Sequence, residues 1–168
     1  MSKEKIYMPM EKLYPLLIYE FVIGKLPSTE TYEERLLWQK VGYIAQQLGT
    51  SLDDYIFSWY LAGPYSPGYT AVLFNSSHIA DMALDYTLTD YVKRKIEPMK
   101  EIVENTPIDM SIPKWFELIA SLLFIKNNSG LNKKNDILKK LTRKKPFFND
   151  EGINCFAWDL LENLNGLK

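Results

Sequence analysis

The chain has 168 residues, 46% of them hydrophobic and 14% aromatic, with 20 basic and 21 acidic side chains and a net charge of −1. That length supports one substantial core without an internal boundary, so a single helical domain over residues 1–168 is expected. With Cys155 the only cysteine and His78 the only histidine, an intramolecular disulfide and a structural zinc set are excluded, and a reducing, cytoplasmic setting is expected.

The stretch from Met10 to Leu26 puts Tyr14, Leu17, Ile18, Phe21 and Val22 at helical spacing, and Leu13, Leu16 and Ile23 widen the stripe into a central helix. Gly24 and Pro27 end it. Thr31 and Glu34 form a capping box for a second helix running to about Gly49, with Leu37, Val41, Ile44 and Leu48 as its buried seam and Lys40 and Gln47 off it. Tyr55 to Leu61 reads as a short extended segment without an obvious ladder partner. Ser66, followed by Pro67, caps a helix expected to reach about Ala80.

A further helix is predicted near Thr87, kinked or broken by Pro98. Pro107 and Pro113 bracket a connector to an apolar helix carrying Trp115, Phe116, Leu118, Ile119, Leu122, Leu123 and Ile125, closed by Asn127 to Gly130. A short basic helix turns Ile137, Leu138 and Leu141 inward. Asn149 is expected to cap the last helix, in which Ile153, Phe156, Ala157, Leu160, Leu161 and Leu164 recur up to Gly166. The fold class is mainly α: about seven helices with at most one or two short strands. No apolar stretch approaches the roughly 20 residues of a membrane span.

Residues 1–110 carry 10 basic and 15 acidic side chains, and residues 111–168 carry 10 and 6. The basic excess gathers in Lys133, Lys134, Lys139, Lys140, Arg143, Lys144 and Lys145, either a solvated face or a contact for nucleic acid phosphates. His78, Asp81 and Asp85 would share one side of a continuous helix, a weak candidate for a metal-dependent enzyme. Ser66 lies in Gly-x-x-Ser-x-Gly, one residue too long for a nucleophile elbow. Adjacent Glu33-Glu34 and Asp53-Asp54 read as first-turn charges at helix starts, and Cys155 has no basic sequence neighbour to lower its pKa. No phosphate-binding glycine loop is present, so no catalytic residue and no cofactor are expected.

Leu36 to Ala45 contains Gln39, Lys40 and Tyr43, and the extended run after it leads into Tyr60, Gly63, Pro64, Tyr65 and Ser66. This Gln-Lys-x-x-Tyr helix followed by Tyr-x-x-Gly-Pro-Tyr-Ser resembles the YwgA-like bacterial and archaeal proteins and, more distantly, the Panacea-domain antitoxins. The apolar helix from Trp115, the Lys145-Pro146-Phe147 loop and the closing helix with Ala157 and Leu160 resemble the same grouping's C-terminal pattern. Pro67-Gly68 stands where the family has a charged helix start. The resemblance implies a mainly helical, non-enzymatic protein-binding module, antitoxin-like or adaptor-like, with a protein partner that in relatives can be a toxin. The Gly-Pro-Tyr-Ser turn then either orients two helices or binds the partner; Tyr65 is expected to be buried against Tyr60 and Tyr69.

Overall fold

The computed structural model describes residues 10–52, 55–76, 80–83, 85–164 and 166–167. Among them, nine helices and one two-stranded antiparallel sheet follow in the order α1 (Met10–Ile23), α2 (Tyr32–Gln47), β1 (Ser58–Tyr60), β2 (Gly63–Tyr65), α3 (Pro67–Asn75), α4 (Ala80–Ala83), α5 (Asp90–Ile96), α6 (Pro98–Glu104), α7 (Ile112–Asn128), α8 (Lys134–Lys144) and α9 (Glu151–Asn163). The fold is mainly α, with nine helices where about seven were predicted. Two divisions account for the difference. The helix begun at Pro67 stops at Asn75, leaving α4 as a separate turn, and Pro98 splits the next one. Proline has no N–H for the Arg94 carbonyl, so α5 ends at Ile96 and α6 restarts with Pro98 in its first turn.

The predicted caps fall largely in place. Thr31 Oγ1 accepts the Glu34 amide at 3.1 Å and Ser66 Oγ accepts the Tyr69 amide at 3.2 Å. At two sites the cap shifts by one or two residues: Thr89, not Thr87, opens α5, and Asp150, not Asn149, accepts the Ile153 amide at 3.1 Å to open α9. Asp150 adds a charge favourable to the helix N-terminus that asparagine lacks.

The centre is the pairing of α2 with α7, the most extensive helix contact in the molecule. Each buries ten residues, Leu36–Ala45 continuously in α2 and all but Phe124 from Trp115 to Ile125 in α7. Buried side chains of α1, α3, α6, α8 and α9 join these in one cluster. Gly42 lets the Tyr69 ring lie directly on α2, since a Cβ at residue 42 would enter that ring. Tyr69 then stacks on Trp38 at 4.5 Å between centroids, and Trp38 Nε1 donates to the Tyr69 carbonyl at 2.8 Å. Phe156, expected in the core, is 44% exposed and lies over Trp115. No described helix is long and apolar enough to cross a membrane.

Candidate functional site

The segment read as a turn is the missing ladder partner. Gly63–Tyr65 pairs with Ser58–Tyr60 in the register Ser58↔Tyr65, Trp59↔Pro64 and Tyr60↔Gly63, leaving Leu61 and Ala62 as a two-residue loop. Gly63 sits at φ +87°, a conformation side chains oppose. A Cβ there would also lie 2.5 Å from Ser121 Oγ on α7. Glycine therefore lets the hairpin lie against α7.

Two short strands expose backbone groups that need partners, and here side chains supply them. Gln39 clamps Ser66 from both sides: its Oε1 accepts the Ser66 amide at 2.9 Å and its Nε2 donates to the Ser66 carbonyl at 3.0 Å and to Thr70 Oγ1 at 2.6 Å. Lys40 Nζ donates to the Pro64 carbonyl at 2.6 Å, and Lys145 Nζ to the Leu61 carbonyl at 2.7 Å. Lys145 also pairs with Glu117 Oε1 at 2.5 Å, and Lys114 with Glu117 Oε2 at 3.0 Å. The contacts of Gln39 and Lys40 with Ser66 and Pro64 thus fix the end of the hairpin to α2, and Lys145 links its loop to Glu117 on α7.

This cluster is electrostatically lopsided, with three lysine amines around one carboxylate. Lys40, expected off the seam, is 1% exposed. Burial pushes its amine down to about 7; Glu117 opposes that shift, and Lys145 and Lys114 reinforce it. An amine near neutrality is a serviceable base, but this one is held on a backbone carbonyl beneath the hairpin, shut away from solvent. Ser121 Oγ, close by, is buried with no hydrogen-bond partner.

Above the clamp lies a groove of about 240 Å³ between α2, the hairpin and α3. Tyr32, Arg35, Leu36, Gln39 and Lys40 line it along one face of α2; Tyr60, Leu61, Ala62 and Tyr65 come from the hairpin, and Thr70 and Phe74 from α3. Its rim is apolar and open: Tyr32 is 58%, Tyr60 59%, Leu61 83% and Phe74 51% exposed. Tyr65 is half-buried. Its ring lies 5.4 Å from that of Tyr60 and its hydroxyl accepts from Thr70 Oγ1 at 3.1 Å, while Tyr69 stacks elsewhere.

The remaining predicted residues divide. Tyr43 is buried and packs its ring against Phe57 and Phe124, outside the groove. In the basic segment, Lys133, Lys139, Arg143 and Lys144 are exposed and Lys140 is half-buried, but Lys134 pairs with Asp159 at 2.9 Å and Lys144 lies 5.0 Å over the Trp59 ring. Lys145 is removed from that set by its burial beneath the hairpin. His78 and the Asp53-Asp54 pair lie outside the described residues. Asp81 and Asp85 are exposed, and α4 ends at Ala83, so Asp85 lies beyond the helix that carries Asp81. No group of three or more metal-ligating side chains occurs among the described residues. Cys155 is free and half-buried on α9.

Sequence reasoning missed Glu117, Ser121, Lys114 and Arg35. A signal for Glu117 was present: one carboxylate inside an otherwise apolar helix is almost never fully buried unless paired. No protein-family model, curated protein or solved structure matches this chain.

Proposed function

We propose that this chain is a non-enzymatic protein-binding module, antitoxin-like or adaptor-like, whose contact surface is the apolar groove beside the hairpin. The carrying observation is that Tyr32, Tyr60, Leu61 and Phe74 are all more than half exposed around a single groove. Clustered exposed apolar side chains of this kind mark interaction sites, and aromatic anchors over a preformed pocket suit a binding hot spot. The clamp supports the same reading, because a hairpin fixed in advance loses little entropy when it is covered. A toxin in the same cell is the partner class that the family resemblance favours.

The test is recovery of partners with a tagged copy from the native cell, beside a Leu61→Asp variant. A stoichiometric protein retained by the wild type and lost from the variant is expected. Finding none under several growth conditions, or equal retention by both, contradicts the proposal.

A second reading, nucleic acid binding, draws on Lys139 and Arg143, one turn apart on α8 beside an open groove shared with α9. It predicts duplex DNA affinity that falls steeply with salt. Unchanged binding after Lys139 and Arg143 are both replaced by Ala would refute it.

A further inference from the structure

The geometry points to the C-terminal end of a partner chain, bearing a large apolar last residue, as the occupant of the groove between α2, the hairpin and α3. This inference rests on the protein-binding reading above and specifies its partner. The groove holds about 240 Å³, below the range of about 300–1,000 Å³ typical of pockets for drug-sized ligands and cofactors. It suits one inserted residue. Its walls are the rings of Tyr60, Tyr65 and Phe74 with the side chain of Leu61, which fit an aromatic or large aliphatic group.

The charge in the lining has one sign. Arg35 and Lys40 contribute to it and no Asp or Glu does. Lys40 directs its ammonium to the Pro64 carbonyl, so Arg35 is the group left to meet a ligand. Arg35 Nη1 donates to the Thr29 carbonyl at 2.7 Å, and the half-buried guanidinium makes no ion pair among the described residues. The neighbouring Glu34 is engaged instead with Lys25 and Thr31. A guanidinium with N–H groups to spare takes a carboxylate through paired hydrogen bonds. Only a terminal residue presents an apolar side chain and a free carboxylate within the volume of one residue; an acidic side chain inside a partner sequence needs a second residue to fill the apolar walls.

The experiment titrates the ¹⁵N-labelled full chain with the peptide acetyl-Gly-Ser-Gly-Phe as the free acid, with the same peptide as its C-terminal amide, and with 3-phenylpropionate. Shifts are followed at the backbone amides of Leu61, Ala62 and Thr70 and at Arg35 Nε–H. The expected result is saturable shifts with the free acid and affinity weaker by about tenfold or more for the amide, as loss of a charge-assisted pair implies. Arg35→Gln should erase the preference for the acid while its spectrum elsewhere stays unchanged, and Arg35→Lys should retain part of it. Equal binding of acid and amide, persistence of the preference in Arg35→Gln, or absence of shifts at these amides overturns the inference. Phenylpropionate binding as tightly as the peptide overturns it in favour of a small carboxylate. Should a native partner depend on Leu61 while acid and amide bind alike, the chain-end inference fails and the protein-binding reading stands. Should no native partner exist, that reading fails whatever the peptides do.

Discussion

Beneath the hairpin lie Lys40, Lys145 and Glu117, all buried, whereas its outer edge shows Tyr60 and Leu61 to solvent at 59% and 83% exposure. The usual distribution of polarity is inverted across a sheet two strands wide and three residues long. Each inner group is consumed by the fold, since the ammoniums hold the Leu61 and Pro64 carbonyls and the carboxylate compensates the ammoniums. The outer apolar groups hold nothing comparable. Burying charge costs more than burying hydrocarbon, so the chain invests its expensive interactions in fixing the position of a hairpin whose outer side chains are exposed.

The sharpest break of the inner face is Glu117→Ala. It leaves Lys145 and Lys40 buried without their carboxylate and should destabilise by about 3–5 kcal/mol, the range for breaking a buried pair on one side. Denaturant unfolding showing a loss under about 1 kcal/mol would mean the cluster is not desolvated. Next is Gly63→Ala. The left-handed backbone costs about 1 kcal/mol, and the approach to Ser121 Oγ adds overpacking of about 1–3 kcal/mol. The same change in a Ser121→Gly background should recover the second part only, a non-additivity readable from a double-mutant cycle.

A pH series sharpens the contrast at lower amplitude. Lys40 titrates near 7 in the folded chain and near 10.5 when unfolded. Between those values the unfolded state holds a proton that the folded state has shed, so stability contributed here rises with pH across that window. Glu117, Lys145 and Lys114 are the charged groups acting on Lys40. Above about pH 10 the trend reverses, because burial raises the Tyr19, Tyr43 and Tyr69 phenols and the unfolded chain ionises first. Unfolding of the wild type and of Lys40→Met between pH 7 and 9.5 should therefore diverge, with the wild type gaining on the variant. Parallel curves would place the Lys40 amine at its ordinary pKa. The smallest stability effect belongs to the outer face: Leu61→Asp, the variant in which the proposed function expects partner retention to fail, should change unfolding free energy by no more than about 0.5 kcal/mol.

The helices were legible because apolar periodicity and capping are local: Thr31 with Glu34 and Ser66 with Pro67 announce their helix starts within four residues. The hairpin was half legible. Tyr55 to Leu61 showed its β character, but Gly-Pro-Tyr reads as turn chemistry, and only contact with α2 and α7 makes it a strand. The partners of Lys40 and Lys145 could not be read from the sequence, since they lie 24 and 28 or more residues away. The groove was invisible for the same reason: Arg35, Leu61 and Phe74 stand on three different elements, and no spacing rule joins them. Phe156 misled because a helical repeat identifies a stripe without saying how wide a stripe the neighbours cover.

Amide hydrogen exchange at Ser66 tests most directly whether the inner face holds the hairpin. Its N–H donates to Gln39 Oε1 in a buried setting, so in the wild type it should exchange only with global unfolding, like the amides in the middle of α2 and α7. In Gln39→Leu, where the backbone loses both of its bonds to the side-chain amide, protection at Ser66 should fall by about tenfold or more relative to those helix amides. Rapid exchange of Ser66 in the wild type, or protection unchanged by Gln39→Leu, would contradict the clamp.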